Sequence, residues 1–511
     1  MPWMAQQGIY GMNNKAVLIL FLLGLAISSP ANFTLADDRP NILFCIADDW
    51  GWPHAGAYGD PVVKTPAFDR IAKEGVLFEN AYISSPSCTP SRNAILTGQY
   101  HWRLGHGGNL HSILDTQHQT YPHLLAESGY FTGHWRKSWG PGKVDNWLQT
   151  SGGHPAGKRY PNFNKFLDAW PRDQPFCFWL GASDPHRGYK LNSGRESGMD
   201  LSKIKLFDHY PESETIRSDV ADYYFEVQRF DSDVNQALAK LESLNLLDST
   251  LVVMTGDHGM PFPRCKSNLY DSGARVPMAV RWPSRIAPGR QVTDLVSTTD
   301  LAPTFLAAAG LPIPDSMTGK SWINILTSKN SGRVEAARDR VFTGKERHVP
   351  CQEGDDSGGT PMRAIRTDQF LLIHNYRPDR WPSGTPNYKL ANLPGCWLGD
   401  CDNGPTKTYM VENQNKDAEH QLKYNLAFAK RPEWELYDLT QDPSQLVNVA
   451  DEKKYQDIKL ELIESLKSEL ISTADPRETD QNADQIFDQS QYFGSGPRHP
   501  SFNNKKKKPN R

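Results

Sequence analysis

The segment Asn41-Ile42-Leu43-Phe44-Cys45-Ile46-Ala47 has no polar face, and it runs straight into Asp48-Asp49. A strand that is apolar on both sides belongs in a parallel sheet covered by helices above and below. Phe176-Cys177-Phe178-Trp179-Leu180 and Leu251-Val252-Val253-Met254 read the same way, and Pro277 to Trp282 predicts a fourth strand. Helix signals lie between them. Thr65-Pro66 opens a helix that Gly75 closes. Val220, Tyr223, Val227, Phe230, Val234, Leu238 and Leu241 recur at spacings of three and four, which predicts a long amphipathic helix. Leu301 to Ala309 predicts another, stopped at Gly310. Strands alternating with helices give an α/β fold, a mostly parallel sheet flanked by helices with right-handed crossovers.

After about Asn330 the alternation ends. Short polar strands, Gly/Pro turns and one helix near Lys453 to Leu470 predict a smaller C-terminal α+β domain. The expected division is residues 37–330, a C-terminal subdomain over 331–475, and a polar basic tail over 476–511. Lys505 to Lys508 near the end read as a solvated tail in preference to an anionic docking site. At the other end, Lys15 precedes the apolar run Ala16 to Ile27, and small residues lead to Thr34-Leu35-Ala36. That is the pattern of a signal peptide over residues 1–36, with Met12 an alternative start and an uncleaved anchor the competing reading. The chain is expected to be exported, periplasmic or secreted, with no membrane contact beyond that segment. A net charge of −3 gives no reason to expect nucleic acid as a partner. The 14 Trp and 19 Tyr suit a sugar-binding cleft and a large core equally well.

Three strands deliver polar clusters at their carboxyl ends: Asp48-Asp49, Ser183-Asp184-Pro185-His186 and Asp257-His258-Gly259. Open α/β sheets place ligands outside those ends. Asp48, Asp49, Asp257 and His258 together supply three carboxylates and an imidazole. Such an oxygen-rich set suits one hard divalent cation. Ca²⁺ is favoured over Mg²⁺ because irregular loops suit the larger ion, and the imidazole leaves Zn²⁺ as an alternative. Cys88 stands just before a helix with Pro90 near its first turn, where free N–H groups and the dipole favour an anion. Export permits disulfides, and Cys396 with Cys401 is the expected pair, close together in a Gly-rich loop. Cys45 and Cys177 fall in strands and read as buried fillers.

Ser87-Cys88-Thr89-Pro90-Ser91-Arg92 resembles the modification signature of the type I sulfatases, whose members have an alkaline-phosphatase-like fold. The resemblance implies that Cys88 is oxidised to formylglycine by a formylglycine-generating or sulfatase-maturing enzyme, and that its hydrated aldehyde is the nucleophile. It makes Asp48, Asp49, the modified Cys88, Asp257 and His258 the metal ligands, and it lets Arg92 hold the modified side chain. Gly129-Tyr130-Phe131-Thr132-Gly133 precedes Lys137 as in the family, and Lys266 to Pro277 resembles the family's second lysine segment. Both lysines would bind sulfate. Lys266 or His186 would protonate the leaving atom. The stretches Ser183 to Arg187 and Asp257 to Tyr270 look closest to the sulfamidase-like branch, which places Arg187 at the substrate. The expected substrate is a sulfated carbohydrate, O- or N-sulfated.

One position departs from the family. Where a histidine that helps collapse the sulfated intermediate is usual, this chain has Trp139. Trp cannot act as a base. His106, His111 and His134 are nearby substitutes, and Trp139 reads as an apolar wall beside the sugar. Two rival readings remain: a phosphodiesterase or phosphonate hydrolase of the same superfamily, and a non-catalytic binder of sulfated glycans.

Overall fold

In the computed structural model of the chain, residues 39–150 and 153–503 are described. The expected signal peptide and Lys505 to Lys508 lie outside them. An eight-stranded sheet dominates. Its strands are β1 (Asn41–Ala47), β2 (Val76–Tyr82), β3 (Phe131–Arg136), β4 (Lys158–Arg159), β5 (Phe176–Gly181), β6 (Thr250–Gly256), β7 (Met278–Arg281) and β8 (Arg290–Ser297). Their order is β4-β3-β5-β1-β6-β7-β2-β8. β1 lies between β5 and β6 and is parallel to both, with Phe44 level with Trp179 and Val253. All seven of its residues are buried, as an apolar run with no solvent face requires.

β7 is the strand expected over Pro277 to Trp282, but it runs antiparallel to both β6 and β2. The connection from β6 contains only the short helix Asp271–Ala274. Without a long crossover helix, the chain returns in the opposite direction. The remaining neighbouring strands are parallel.

Helices cover both faces. α1 (Pro66–Glu74) begins after Thr65, as expected, but Thr65 makes no cap hydrogen bond. Asp231 supplies the cap instead, accepting from the N–H groups of Ala67 and Phe68 at 3.0 and 2.9 Å. Asp231 belongs to the helix Glu214–Ser243, whose buried face carries the predicted apolar series from Val220 to Leu241. The helix Leu301–Ala308 packs in the second core layer, with Phe305 against Phe44 and Tyr121.

A second sheet is antiparallel, in the order β12-β11-β10-β9. It is built from β9 (Arg340–Lys345), β10 (Met362–Thr367), β11 (Phe370–Asn375) and β12 (Trp434–Asp438). The helix Gln456–Ser472 buries Leu462, Leu466 and Leu470 with Ile365, Leu372 and Leu436 of this sheet. The stretch after Asp475, expected as a polar tail, packs as far as the structure describes it. Phe487 is fully buried, Asn109 Nδ2 donates to its carbonyl, and Tyr492 meets the His111 ring edge-on. Among the described residues no helix is long and apolar enough to cross a membrane.

Candidate active site

The carboxyl ends of β1 and β6 are neighbours in the sheet, so Asp48, Asp49, Asp257 and His258 converge without any long-range adjustment. Asp49 has φ 73°, a left-handed conformation that Asp tolerates better than most residues. Its N–H donates to Asp257 Oδ1 at 2.9 Å, which locks the two strand ends together. Gly259 closes the turn after His258. A Cβ there would lie 2.1 Å from the Ser272 carbonyl oxygen, so a larger residue would push the two loops apart.

Cys88 is the first residue of α2 (Cys88–Thr97), a helix buried along its whole length. Ser91 Oγ donates to the Asp257 carbonyl at 2.6 Å and Thr89 Oγ1 to the Pro141 carbonyl at 2.5 Å, which pins the helix start between two loops. Cys88 Sγ lies 3.5 Å from Asp48 Oδ1 and 3.3 Å from His258 Nε2. Ligand atoms of Asp48, Cys88, Asp257 and His258 all fall within 4.8 Å of one another, and all four residues are buried.

This donor set fits a cation. His258 Nδ1 lies 3.0 Å from the Gly259 carbonyl, which can only accept, so in the neutral ring Nε2 carries the lone pair. Nε2 is 3.1 Å from Asp49 Oδ1, an oxygen with no hydrogen-bond donor. Two buried acceptors that close need a positive centre between them.

Three fixed cations surround the carboxylates. Arg92 is fully buried: its Nε donates to Asp257 Oδ2 at 2.8 Å, Nη1 to the Lys137 carbonyl and Nη2 to the Ala47 carbonyl. Burial works against its charge, but Asp257 and Asp48 more than offset this and hold it above the usual arginine value. Lys137 Nζ reaches both oxygens of Asp48, at 2.5 and 2.6 Å. Burial alone would raise the Asp48 carboxyl, yet Lys137, then His186, Arg92 and Lys266, hold it well below the usual range. Lys266 Nζ bridges Asp49 Oδ2 at 3.0 Å and Asp402 Oδ2 at 2.9 Å. Burial opposes its charge too, but Asp402 and Asp49 hold it well above the ordinary lysine value. Burial pushes the Cys88 thiol up, so the unmodified side chain is a poor nucleophile.

His186 closes the outer side. Its Nε2 is 3.9 Å from Asp49 Oδ2, its Nδ1 is 2.8 Å from the Arg187 carbonyl, and 37% of its side chain is exposed.

Two expected substrate contacts, Arg187 and Trp139, make most of their contacts with the protein itself. Arg187 is engaged by protein partners. Its Nη1 and Nη2 form a bidentate pair with Asp219 at 2.8 Å each, Nε donates to the Pro261 carbonyl, and its plane lies over Phe262 and Tyr189. Three of its five N–H groups are taken by protein oxygens. Trp139 is 9% exposed and packs in the core, so it does not form an open wall. Of the three histidines near it in sequence, His106 is exposed and bonded to Ser490, and His134 stacks on His154 with its Nδ1 at the Gly157 carbonyl. Only His111 feels the site: burial, then Lys137, Lys266 and His186, push its imidazole down to about 4.

Sequence reasoning missed Asp402 and His348. Asp402 forms a second close group with Asp49 and His186. His348 is buried with Nδ1 2.8 Å from the hydroxyl of Ser87, immediately before Cys88. Asp402 sits in the acidic loop Gly399 to Asn403, where the two aspartates were the available signal. Nothing local marks His348.

A family model described as Sulfatase matches residues 40–311, and one described as N-sulphoglucosamine sulphohydrolase, C-terminal, matches 256–383. The chain is 28% identical to the human N-sulphoglucosamine sulphohydrolase, over 88% of this chain and 91% of that one. It is 26% identical to an ulvan-active sulfatase of Formosa agariphila, over 86% and 76%. A solved protein in complex with its substrate D-glucosamine-2-N,6-O-disulfate superposes with a TM-score of 0.62 at 20% identity, over 87% of this chain and all of that one.

Proposed function

The chain belongs to the sulfatase family and is a sulfuric ester hydrolase; from that premise we propose that it removes sulfate from a sulfated carbohydrate, with Cys88 as the reacting residue after conversion to formylglycine. The observation that carries this reading is the placement of Cys88 Sγ. It stands at the first turn of α2, 3.3 to 3.5 Å from two of the acceptor groups, with Arg92, Lys137 and Lys266 around the same carboxylates.

Asp48, Asp49, Asp257 and His258 would hold one divalent cation, Ca²⁺ by the hardness of three carboxylates. When bound it supplies positive charge for a sulfate oxygen and for an ionised hydroxyl. As formylglycine, Cys88 supplies a hydrated aldehyde, one hydroxyl to attack sulfur and a second to release sulfate. The remaining work belongs to the chain. Lys137 and Lys266 are fixed by Asp48 and Asp49, so they stay charged and aimed without reorganising as the S–O or S–N bond breaks. Arg92 holds Asp257 in place from below. His186, partly exposed, would protonate the leaving atom; Lys266, held well above the ordinary lysine value by Asp402 and Asp49, is the poorer acid. For the proton-accepting role left open at Trp139 we take His111, whose backbone N–H donates at 3.3 Å to the hydroxyl of Thr89, the residue after Cys88. Asp219 holds Arg187, which in turn shapes the loop carrying His186.

Among sulfated carbohydrates an amino sugar comes first, since the human relative is named for N-sulphoglucosamine and the solved complex holds a 2-N,6-O-disulfate. The sequence of residues 1–36 supports export, and Cys88 calls for a maturation enzyme as partner. The test is a peptide mass for the segment carrying Cys88, from a host able to modify it, together with sulfate release from N-sulfo- and 6-O-sulfo-glucosamine. An aldehyde at Cys88 with release from either sugar supports the reading. A free thiol in a protein that binds but does not turn over makes it a glycan binder. Turnover confined to phosphodiesters or phosphonates makes it a member of that other activity class.

A further inference from the structure

Cys351 and Cys396 lie on two segments that run side by side. Leu393 donates its N–H to the Pro350 carbonyl, Asn392 to the Gln352 carbonyl, and Glu353 forms an antiparallel bridge with Ala391. Both cysteines are fully buried and share a small cluster with Leu110 and Val349. A Cβ on Gly399 would lie 2.5 Å from Cys396 Sγ and 3.0 Å from Cys351 Sγ, so both sulfurs face the same glycine. Cys401 was the partner expected for Cys396. It packs in a different cluster, with its Sγ 3.6 Å from the Asp402 carbonyl.

We propose that Cys351 and Cys396 form a disulfide in the exported protein. It ties the segment carrying Lys345 and His348 to the loop carrying Asp400 and Asp402. Those elements already touch: Asp400 accepts from Lys345 Nζ at 2.8 Å and from the Val349 N–H at 2.9 Å. Asp402 reaches on to Lys266. A covalent link behind them holds the Asp402 carboxylate against that lysine when the loop would otherwise breathe. Formation needs a disulfide oxidant, the class present wherever exported proteins mature. One protein thiolate attacks the oxidant's disulfide and expels one of its thiolates. The second protein thiolate then displaces the other. The oxidant leaves as two thiols, carrying the two electrons and two protons lost by Cys351 and Cys396.

The experiment uses full-length protein recovered from an oxidising compartment. It is alkylated under denaturing conditions without reductant, digested, and mapped by mass. The proposal expects a linked peptide pair joining Cys351 to Cys396, with Cys401 alkylated. A Cys396–Cys401 link, or all three alkylated, overturns it. Because the link is read by mass, its failure is separate from any failure of the chemistry at Cys88. A thermal measurement checks the role. Reductant should lower the melting temperature of the natural protein by a few degrees and leave a Cys351→Ser, Cys396→Ser double variant unmoved. An equal shift in both proteins overturns the proposal.

Discussion

Lys137 Nζ sits 2.5 and 2.6 Å from the two carboxylate oxygens of Asp48, so one ammonium caps both ends of one carboxylate. The pair joins the end of β1 to the loop after β3. It keeps a buried acid ionised, and it holds a cation on the carboxylate that lies beside Cys88.

Lys137→Ala should lower kcat/KM by about 10²–10³-fold, the cost of losing one donor aimed at developing charge. It should also change the acid limb of stability. The folded Asp48 value is depressed, so its contribution is present above the unfolded value of about 3.9 and is lost as pH falls through the folded value. Without Lys137 the folded value rises towards the unfolded one, so the variant has less stability to lose and its acid limb is shallower. Urea midpoints from pH 2 to 6 for both proteins check this. Superimposable profiles would count against the pairing.

Asp257→Ala removes one carboxylate from the metal set and leaves the buried Arg92 Nε without its partner. Breaking a buried pair in this way costs about 3–5 kcal/mol. The variant should unfold at lower denaturant and carry less than half the Ca²⁺ of the natural protein by elemental analysis. Asp257→Asn, which keeps the shape, should fold better than Asp257→Ala and still lose metal. Full metal occupancy in both variants would remove Asp257 from the ligand set.

His111 is held down to about 4, below the ordinary histidine value, so folding opposes its protonation. The unfolded chain binds that proton first, and stability contributed by the neutral ring is lost as pH falls from about 6.5 towards 4. His111→Gln should therefore gain on the natural protein, in melting temperature, over that interval. At neutral pH it should lose turnover with little change in KM. Unchanged kcat would return the proton-accepting role to another group.

Trp139 is a core residue by its burial, which alters what its loss should do. Trp139→Ala should cost about 3–5 kcal/mol of stability through lost packing and an unfilled cavity. The protein that remains folded should keep its KM for a sulfated sugar within a few fold. Trp139→Phe should recover most of the stability. A large KM increase in a stable variant would put the indole back at the sugar.

What was legible in the sequence followed from local pattern. β1, β5 and β6 are apolar runs with a unique reading, and their polar ends gave Asp48, Asp49, Asp257 and His258 because strand ends converge in an α/β sheet. β2 was not legible, since Glu79 and Asn80 interrupt its apolar run, nor was β8, whose Arg290, Gln291, Thr293 and Asp294 read as loop. The reversed direction of β7 depends on the route of the preceding loop, not on its own residues. Arg187 looked free because its partner, Asp219, lies on the buried face of a helix 32 residues on. Asp402 was hidden for the same reason: its meaning comes from Lys266, 136 residues away.

The chain past Asp475 bears on how the protein can be handled. Ser490 and Asp488 accept from Arg347 through their carbonyls, Phe493 lies under the Lys143 ammonium, and Tyr492 backs His111. A truncation placed after the helix Gln456–Ser472, where a polar linker would ordinarily be trimmed, would strip the backing from a histidine that stands in the field of Lys137 and Lys266. A purification tag is better carried on the residues beyond 503 than in place of the stretch before them.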